Sequence, residues 1–148
     1  MLGGVEARTL EELPAWARAL VTDARVARLA LLDDSDRPRV LPVTYAVHAA
    51  ALWSAIDRKP KRSAEPARVR YLRRRPEAAV IVDRYSDDWS ALAWVQLLGS
   101  VDVVPAAEEP EALQALTEKY APYRADPPPG PLLRLEPERV LWWRAAPL

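Results

Sequence analysis

Apolar and polar positions along this chain change their period several times, and each change marks an element. Leu10, Leu13, Ala17 and Leu20 recur at helical spacing, Thr9 stands where a cap would, and Glu11 and Glu12 suit the positive end of a helix. Pro14 falls early enough for that helix to tolerate it. Strand-like runs follow at 26–32, 39–47 and 51–56, divided by the turn-rich 33–38 and the short 48–50, which predicts an antiparallel meander. Helical spacing returns after 57–62: Ser63 is the predicted cap, Pro66 sits in the first turn, Val69 and Leu72 point inward, and Pro76 ends the element. The apolar run 78–83 reads as a buried strand and 89–104 as a long one, with Gly99 marking a bulge or a barrel corner. A second amphipathic helix at 108–120 places Leu113, Leu116 and Tyr120 on one stripe and stops at Pro122. The proline-rich 127–131 is an extended connector, and 134–144 is the closing strand.

Six or so mostly consecutive strands, with three helices in the connections, predict a mainly β (α+β) fold. Its form is a closed or partly closed antiparallel barrel with peripheral helices. At 148 residues, half of them apolar, the chain reads as a single domain with one core.

Composition narrows the chemistry. The chain has no cysteine and one histidine, which removes disulfides, thiolate chemistry and histidine-cluster metal sites. No apolar stretch reaches the roughly 18 residues of a membrane span, and the first residues are acidic, so a soluble, cytoplasmic protein is expected. The 21 basic and 21 acidic residues cancel, leaving no overall field to draw the molecule to nucleic acid or membrane. Six tryptophans exceed what so small a core needs, which points to pairing through a face and hence to a homodimer.

Three clusters can carry chemistry. In Asp57-Arg58-Lys59-Pro60-Lys61-Arg62, Pro60 holds Lys59 extended, so Lys59 and Lys61 project to the same side. With Arg62 and the helix start at Ser63 beside them they form a candidate phosphate clamp. The same charges read equally as a solvated basic loop. Asp83, Tyr85, Asp87, Asp88, Trp89 and Trp94 gather aromatic and acidic groups at one barrel end, where a planar ring can stack or where they fill turn and core. Pro42, Val43, Thr44 and Tyr45 put a proline inside a strand-like run, implying free backbone groups able to read the polar edge of such a ring. Nine of the eighteen residues from 58 to 75 are Arg or Lys, but without interleaved aromatics they make a poor nucleic-acid surface. His48 lies at a predicted hairpin tip with no partner evident in the sequence. There is no nucleophile motif, P-loop or glycine-rich dinucleotide turn, so an enzyme of this sequence relies on a cofactor.

The segments LPVTYAV, AIDRKPKR and VDRYSDDWSALAWVQLLGSV occur in an order and spacing that resembles the pyridoxamine 5'-phosphate oxidase-like split-barrel superfamily. Within it, KPKR followed by D-x-Y-x-x-DW is similar to the actinobacterial branch of oxidoreductases that use the deazaflavin coenzyme F420. The resemblance implies a six-stranded split barrel and a homodimer with cofactor sites at the interface. It also implies hydride transfer between the deazaflavin and a small organic substrate. By the same resemblance the loop Lys59 to Arg62 (Lys59, Lys61 and Arg62) holds the cofactor phosphate, Pro42 to Tyr45 back the ring, Trp89 and Trp94 lie near the ring or the partner subunit, and Asp57, Ser63 and Tyr85 are further cofactor-binding candidates. The chain departs from the family pattern at Gln96, Tyr71 and Asp36, where arginine, asparagine and glycine are usual. FMN is the alternative cofactor, and a non-catalytic flavin carrier or sensor the alternative role. An acidic glutamyl tail on the deazaflavin, absent from FMN, would find its acceptors among the arginines of 68–75.

Overall fold

The computed structural model describes residues 5–56 and 65–145. Alternating burial along the strands builds one sheet: β1 (Val5–Ala7), β2 (Ala27–Leu32), β3 (Pro38–Val43), β4 (Ala46–His48), β5 (Ala51–Ala55), β6 (Glu77–Arg84), β7 (Ala93–Val104) and β8 (Leu132–Arg144). All pairings are antiparallel, in the order β3-β2-β6-β7-β8-β5-β4, with β1 added on β8. The two ends of that order, β3 and β4, are halves of the single run predicted at 39–47, broken at Thr44 and Tyr45. The chain itself therefore joins the ends of the sheet, and the expected six-stranded split barrel stands, with β1 as an addition that the sequence pattern did not show.

Among the described residues four α-helices accompany the sheet: α1 (Ala15–Asp23), α2 (Ala67–Arg74), α3 (Pro110–Lys119) and the short α4 (Ala121–Ala125). The predicted first helix is divided, a short 3-10 turn at Leu10–Glu12 preceding α1. Pro14 has no N–H to continue a helix and forces the residue before it to be extended, which Leu13 is at ψ 144°. Thr9 consequently caps no α-helix, and its hydroxyl donates to Glu12 Oε1 at 3.2 Å. The long strand predicted from 89 begins only at Ala93, because Asp88 Oδ1 accepts from the Ser90 amide (3.1 Å) and hydroxyl (2.7 Å) and winds Trp89–Ala91 into a 3-10 turn. The helix predicted to stop at Pro122 pauses at Tyr120 and resumes as α4, with Pro122 in the first turn where its missing N–H costs nothing.

Two apolar layers result. Leu29, Leu31, Val80, Val82, Val95, Leu97 and Val140 fill the barrel with Leu13, Ala17 and Val21 from one side and Val69 and Leu72 of α2 from another. A smaller cluster packs Trp53, Ala55 and Leu132 of the outer face against Ala112 and Leu116 of α3. The expected bulge is present: the β7–β8 register shifts between Leu98 and Gly99. A Cβ on Gly99 would lie 2.8 Å from the Glu136 carbonyl oxygen, so only glycine lets the strands approach there. The outward face of β2, β3, β6, β7 and β8 bears Ala30, Val40, Ile81, Trp94, Leu98, Leu141 and Trp143, half-buried or, for Val40, 67% exposed. Among the described residues no helix is long and apolar enough to cross a membrane.

Candidate functional site

Register sorts the strand ends into two rims. The ladders Ala30↔Ala79, Glu77↔Ser100, Val104↔Leu132 and Ala55↔Leu132 bring the ends of β2, β5 and β7 together with the starts of β6 and β8. At this first rim a cleft of about 270 Å³ opens between β3 and the start of α2, lined by Leu31, Arg39, Val40, Leu41, Pro66, Ala67, Arg68 and Tyr71. Helix α2 starts directly after Pro66, whose carbonyl accepts from Val69 (3.0 Å) and Arg70 (3.4 Å). The earlier amides, of Ala67 and Arg68, precede the first intrahelical bonds, and both residues line the cleft. Arg68 forms no ion pair with a described residue. Arg39 Nη1 stands 3.6 Å from Asp33 Oδ2. Asp33 in turn accepts at Oδ1 from the amides of Arg37 (3.0 Å) and Ser35 (2.9 Å), bonds that hold its carboxyl below the usual range.

The predicted clamp, Asp57, Lys59, Lys61, Arg62 and Ser63, lies outside the described residues. Its two flanks, Ile56 after β5 and Glu65 before α2, are described. The other arginines of α2, which the sequence offered as acceptors for an acidic tail, are already paired. Arg70 meets Asp34 at 3.0 Å, Arg73 donates to Glu65, and Arg74 and Arg75 both meet Asp36 at 2.9 Å. Arg39 is the cleft cation that sequence reasoning missed, since no motif in the β3 run marks it, whereas Arg68, offered by the sequence for an acidic tail, lines the cleft instead.

The remaining predicted residues belong to a second rim, where β3 ends and β2 and β7 begin, although Pro42 directly follows Leu41 of the cleft. Thr44 and Tyr45 are not the open backbone that Pro42 suggested. Tyr120 Oη accepts from the Tyr45 amide at 3.1 Å and lies 3.0 Å from the Tyr45 carbonyl and 2.8 Å from that of Arg25. The Thr44 carbonyl accepts from Ser54 Oγ at 2.8 Å, and Thr44 Oγ1 is 2.7 Å from Tyr123 Oη. Tyr45 is fully buried, its hydroxyl donating to the Val21 carbonyl, and burial raises its pKa well above that of free tyrosine. Val43 is buried too, which leaves Pro42 as the outward residue of that segment. The run is therefore the fastening of the split barrel, and its polar groups are spent inside the protein. Lys119 completes the fastening: its Nζ donates to the Ala24 carbonyl at 2.7 Å and sits 4.0 Å from the Tyr45 ring centroid, and burial lowers its pKa to about 8. Tyr85 and Trp89 project from the β6–β7 connection, 70% and 69% exposed, with Tyr85 Oη donating to Asp87 Oδ1 at 3.1 Å. Trp94 lies on the outward face opposite Trp143. His48, unpartnered in the sequence, has Nε2 3.4 Å from Glu111 Oε2.

The family model of pyridoxamine 5'-phosphate oxidase matches residues 13–144. The chain belongs to this family. No curated protein sequence matches it. Among solved structures, this family member is similar in fold to a conserved hypothetical protein of Mycobacterium tuberculosis (TM-score 0.70, 22% identity, covering 89% of this chain and 85% of the other). It is similar as well to a heme-binding protein of Mycobacterium smegmatis (TM-score 0.72, 24% identity), covering 89% of this chain and 54% of that one. A FAD-binding protein of Mesorhizobium loti aligns over 95% of this chain and 96% of its own at TM-score 0.64 and 23% identity. These likenesses concern the fold alone.

The first-rim cleft brings together two arginines, Arg39 and Arg68, the first residues of α2 and an apolar wall. Its volume, about 270 Å³, is below the roughly 300–1,000 Å³ that encloses a drug-sized ligand.

Proposed function

We propose that the chain is a cofactor-dependent oxidoreductase that binds a phosphorylated flavin-type cofactor, the deazaflavin F420, with its phosphate at the cleft between β3 and α2. The cationic cleft beside the flanks of 57–64, in a pyridoxamine 5'-phosphate oxidase family chain, carries this reading. The cofactor supplies the hydride chemistry. The chain's own contribution is positional: Arg39, Arg68 and the amides of Ala67 and Arg68 neutralise and orient the phosphate, a role for which the sequence also offers Lys59, Lys61 and Arg62. We further propose that the protein works in the cytoplasm as a homodimer. Its outward face, where the half-buried Ile81, Trp94, Leu98, Leu141 and Trp143 share one side of the sheet, supports pairing with a second copy, and an organic substrate would enter beside the cofactor.

FMN is the second reading, and a specific observation favours it. The arginines that would receive a glutamyl tail are occupied by Asp34, Asp36 and Glu65, so the cleft offers most to the phosphate that both cofactors share. Titration of the ligand-free protein with F420 and separately with FMN, followed by tryptophan quenching, tests both. Binding of F420 with no response to FMN is the expected result. A preference for FMN moves the assignment to the second reading, and binding of neither overturns the proposal.

A further inference from the structure

Asp36 occupies the left-handed region at φ 57°, a conformation that glycine adopts without cost. What stands there is a carboxylate, and its Oδ1 accepts from Arg74 Nη1 and Arg75 Nη1, each at 2.9 Å. It acts from a rigid platform. Within the β2–β3 turn, the Asp33 amide donates to the Arg37 carbonyl, the Asp36 amide donates to the Asp33 carbonyl, both at 2.9 Å, and the Asp33 side chain binds two further amides. The same turn reaches α2 twice more. Arg74 Nη1 donates to the Asp33 carbonyl at 3.2 Å, and Arg70, one helical turn earlier, meets Asp34. Isolated surface ion pairs contribute little, but several contacts from one rigid turn to one face of a helix form a network in which geometry is shared.

That network adds to a narrow apolar seat. The fully buried anchors of α2, Val69 and Leu72, lie three residues apart and so on a single line along the helix, with Tyr71 partly buried beside that line and Arg73 bonded to Glu65. Rotation about that line is resisted by the contacts to the turn, and the same rotation would swing Arg68 and the first amides of α2 across the cleft. We propose that Asp36 is a positioning residue for the cleft: by bridging Arg74 and Arg75 it fixes the pitch of α2 and hence the aim of Arg68. This rests on the phosphate reading of the cleft, but its structural half can be measured without a ligand.

The test uses Asp36→Gly, with Asp36→Asn as a second variant that keeps a side chain of similar size. Glycine suits the positive φ, so D36G should fold with a melting temperature equal to or above that of the parent. Amide hydrogen exchange in α2 should nevertheless quicken by roughly five- to tenfold, with the sheet unchanged, and the parent in 1 M salt should show the same local effect. Whichever of F420 or FMN the parent binds should bind D36G and D36N more weakly, by about three- to tenfold. Unchanged exchange in α2, or faster exchange with unchanged affinity, overturns the inference. Faster exchange in a protein that binds neither probe retires the cofactor assignment and leaves Asp36 as the residue that sets α2.

Discussion

The two rims of this barrel are held by opposite means. The second rim is fastened by buried hydroxyls, with Tyr120 Oη between the Tyr45 and Arg25 backbones and Lys119 against the Ala24 carbonyl. The first is fastened by exposed ion pairs from a turn to α2, and the cleft lies there. Buried hydrogen bonds are costly to break because each lost partner leaves a desolvated group behind, whereas exposed ions return to water nearly without loss. Rigidity has been placed where the chain crosses from β3 to β4, and adjustability where a ligand can be received.

Removing the tyrosine hub should produce the largest effect. Tyr120→Phe leaves the Tyr45 amide buried without its acceptor, and should lower unfolding stability by about 2–3 kcal/mol at an unchanged m-value, measured by urea denaturation. A smaller loss would mean that water reaches the split and that the two rims differ less than their contacts suggest.

A pH profile sharpens the contrast at intermediate size. Lys119 titrates at about 8 in the folded protein against an ordinary value of 10.5, so between those values the unfolded chain binds more protons and stability rises with pH. Tyr45 and Tyr120 shift the other way, both raised by burial, so above about pH 10 the unfolded chain loses protons first and stability falls. Thermal melts should therefore peak between about pH 9 and 10, and Lys119→Met should remove the rising limb. A profile flat from pH 8 to 10 in the parent would show that the ammonium is hydrated.

At the first rim the smallest effect is expected. Arg70→Gln, which breaks the pair with Asp34, should leave the urea midpoint within error of the parent, any difference vanishing in 1 M salt. A loss comparable to that of Tyr120→Phe would erase the distinction between the rims.

Much of this architecture was legible in the sequence. Apolar runs marked the strands β2, β6 and β7, Gly99 marked the bulge, and Val69 and Leu72 marked the buried side of α2. What misled was local. The strand-like run at 39–47 carries no sign that Tyr45 turns inward to meet a tyrosine 75 residues later, because hydroxyl–backbone contacts leave no periodicity. β1 is only three residues long and pairs at the far end of the chain, too short for alternation to register. For the site, the sequence pointed to the right neighbourhood through Pro66 and the basic segment before it. It over-read the arginines of 68–75, since the carboxylates that meet Arg70, Arg74 and Arg75 arrive from a turn more than 30 residues earlier and Glu65 takes Arg73.

β8 is the neighbour of β7, β5 and β1 at once, through Val95↔Trp142, Leu52↔Leu135 and Glu6↔Leu141. During synthesis the hairpins β2–β3 and β6–β7 can form as they emerge, while β1 and β5 wait with unpaired edges for a strand made last. The interval before β8 is complete, several seconds at about 5–20 residues per second, is when this chain is most open to edge-to-edge association and to capture by chaperones.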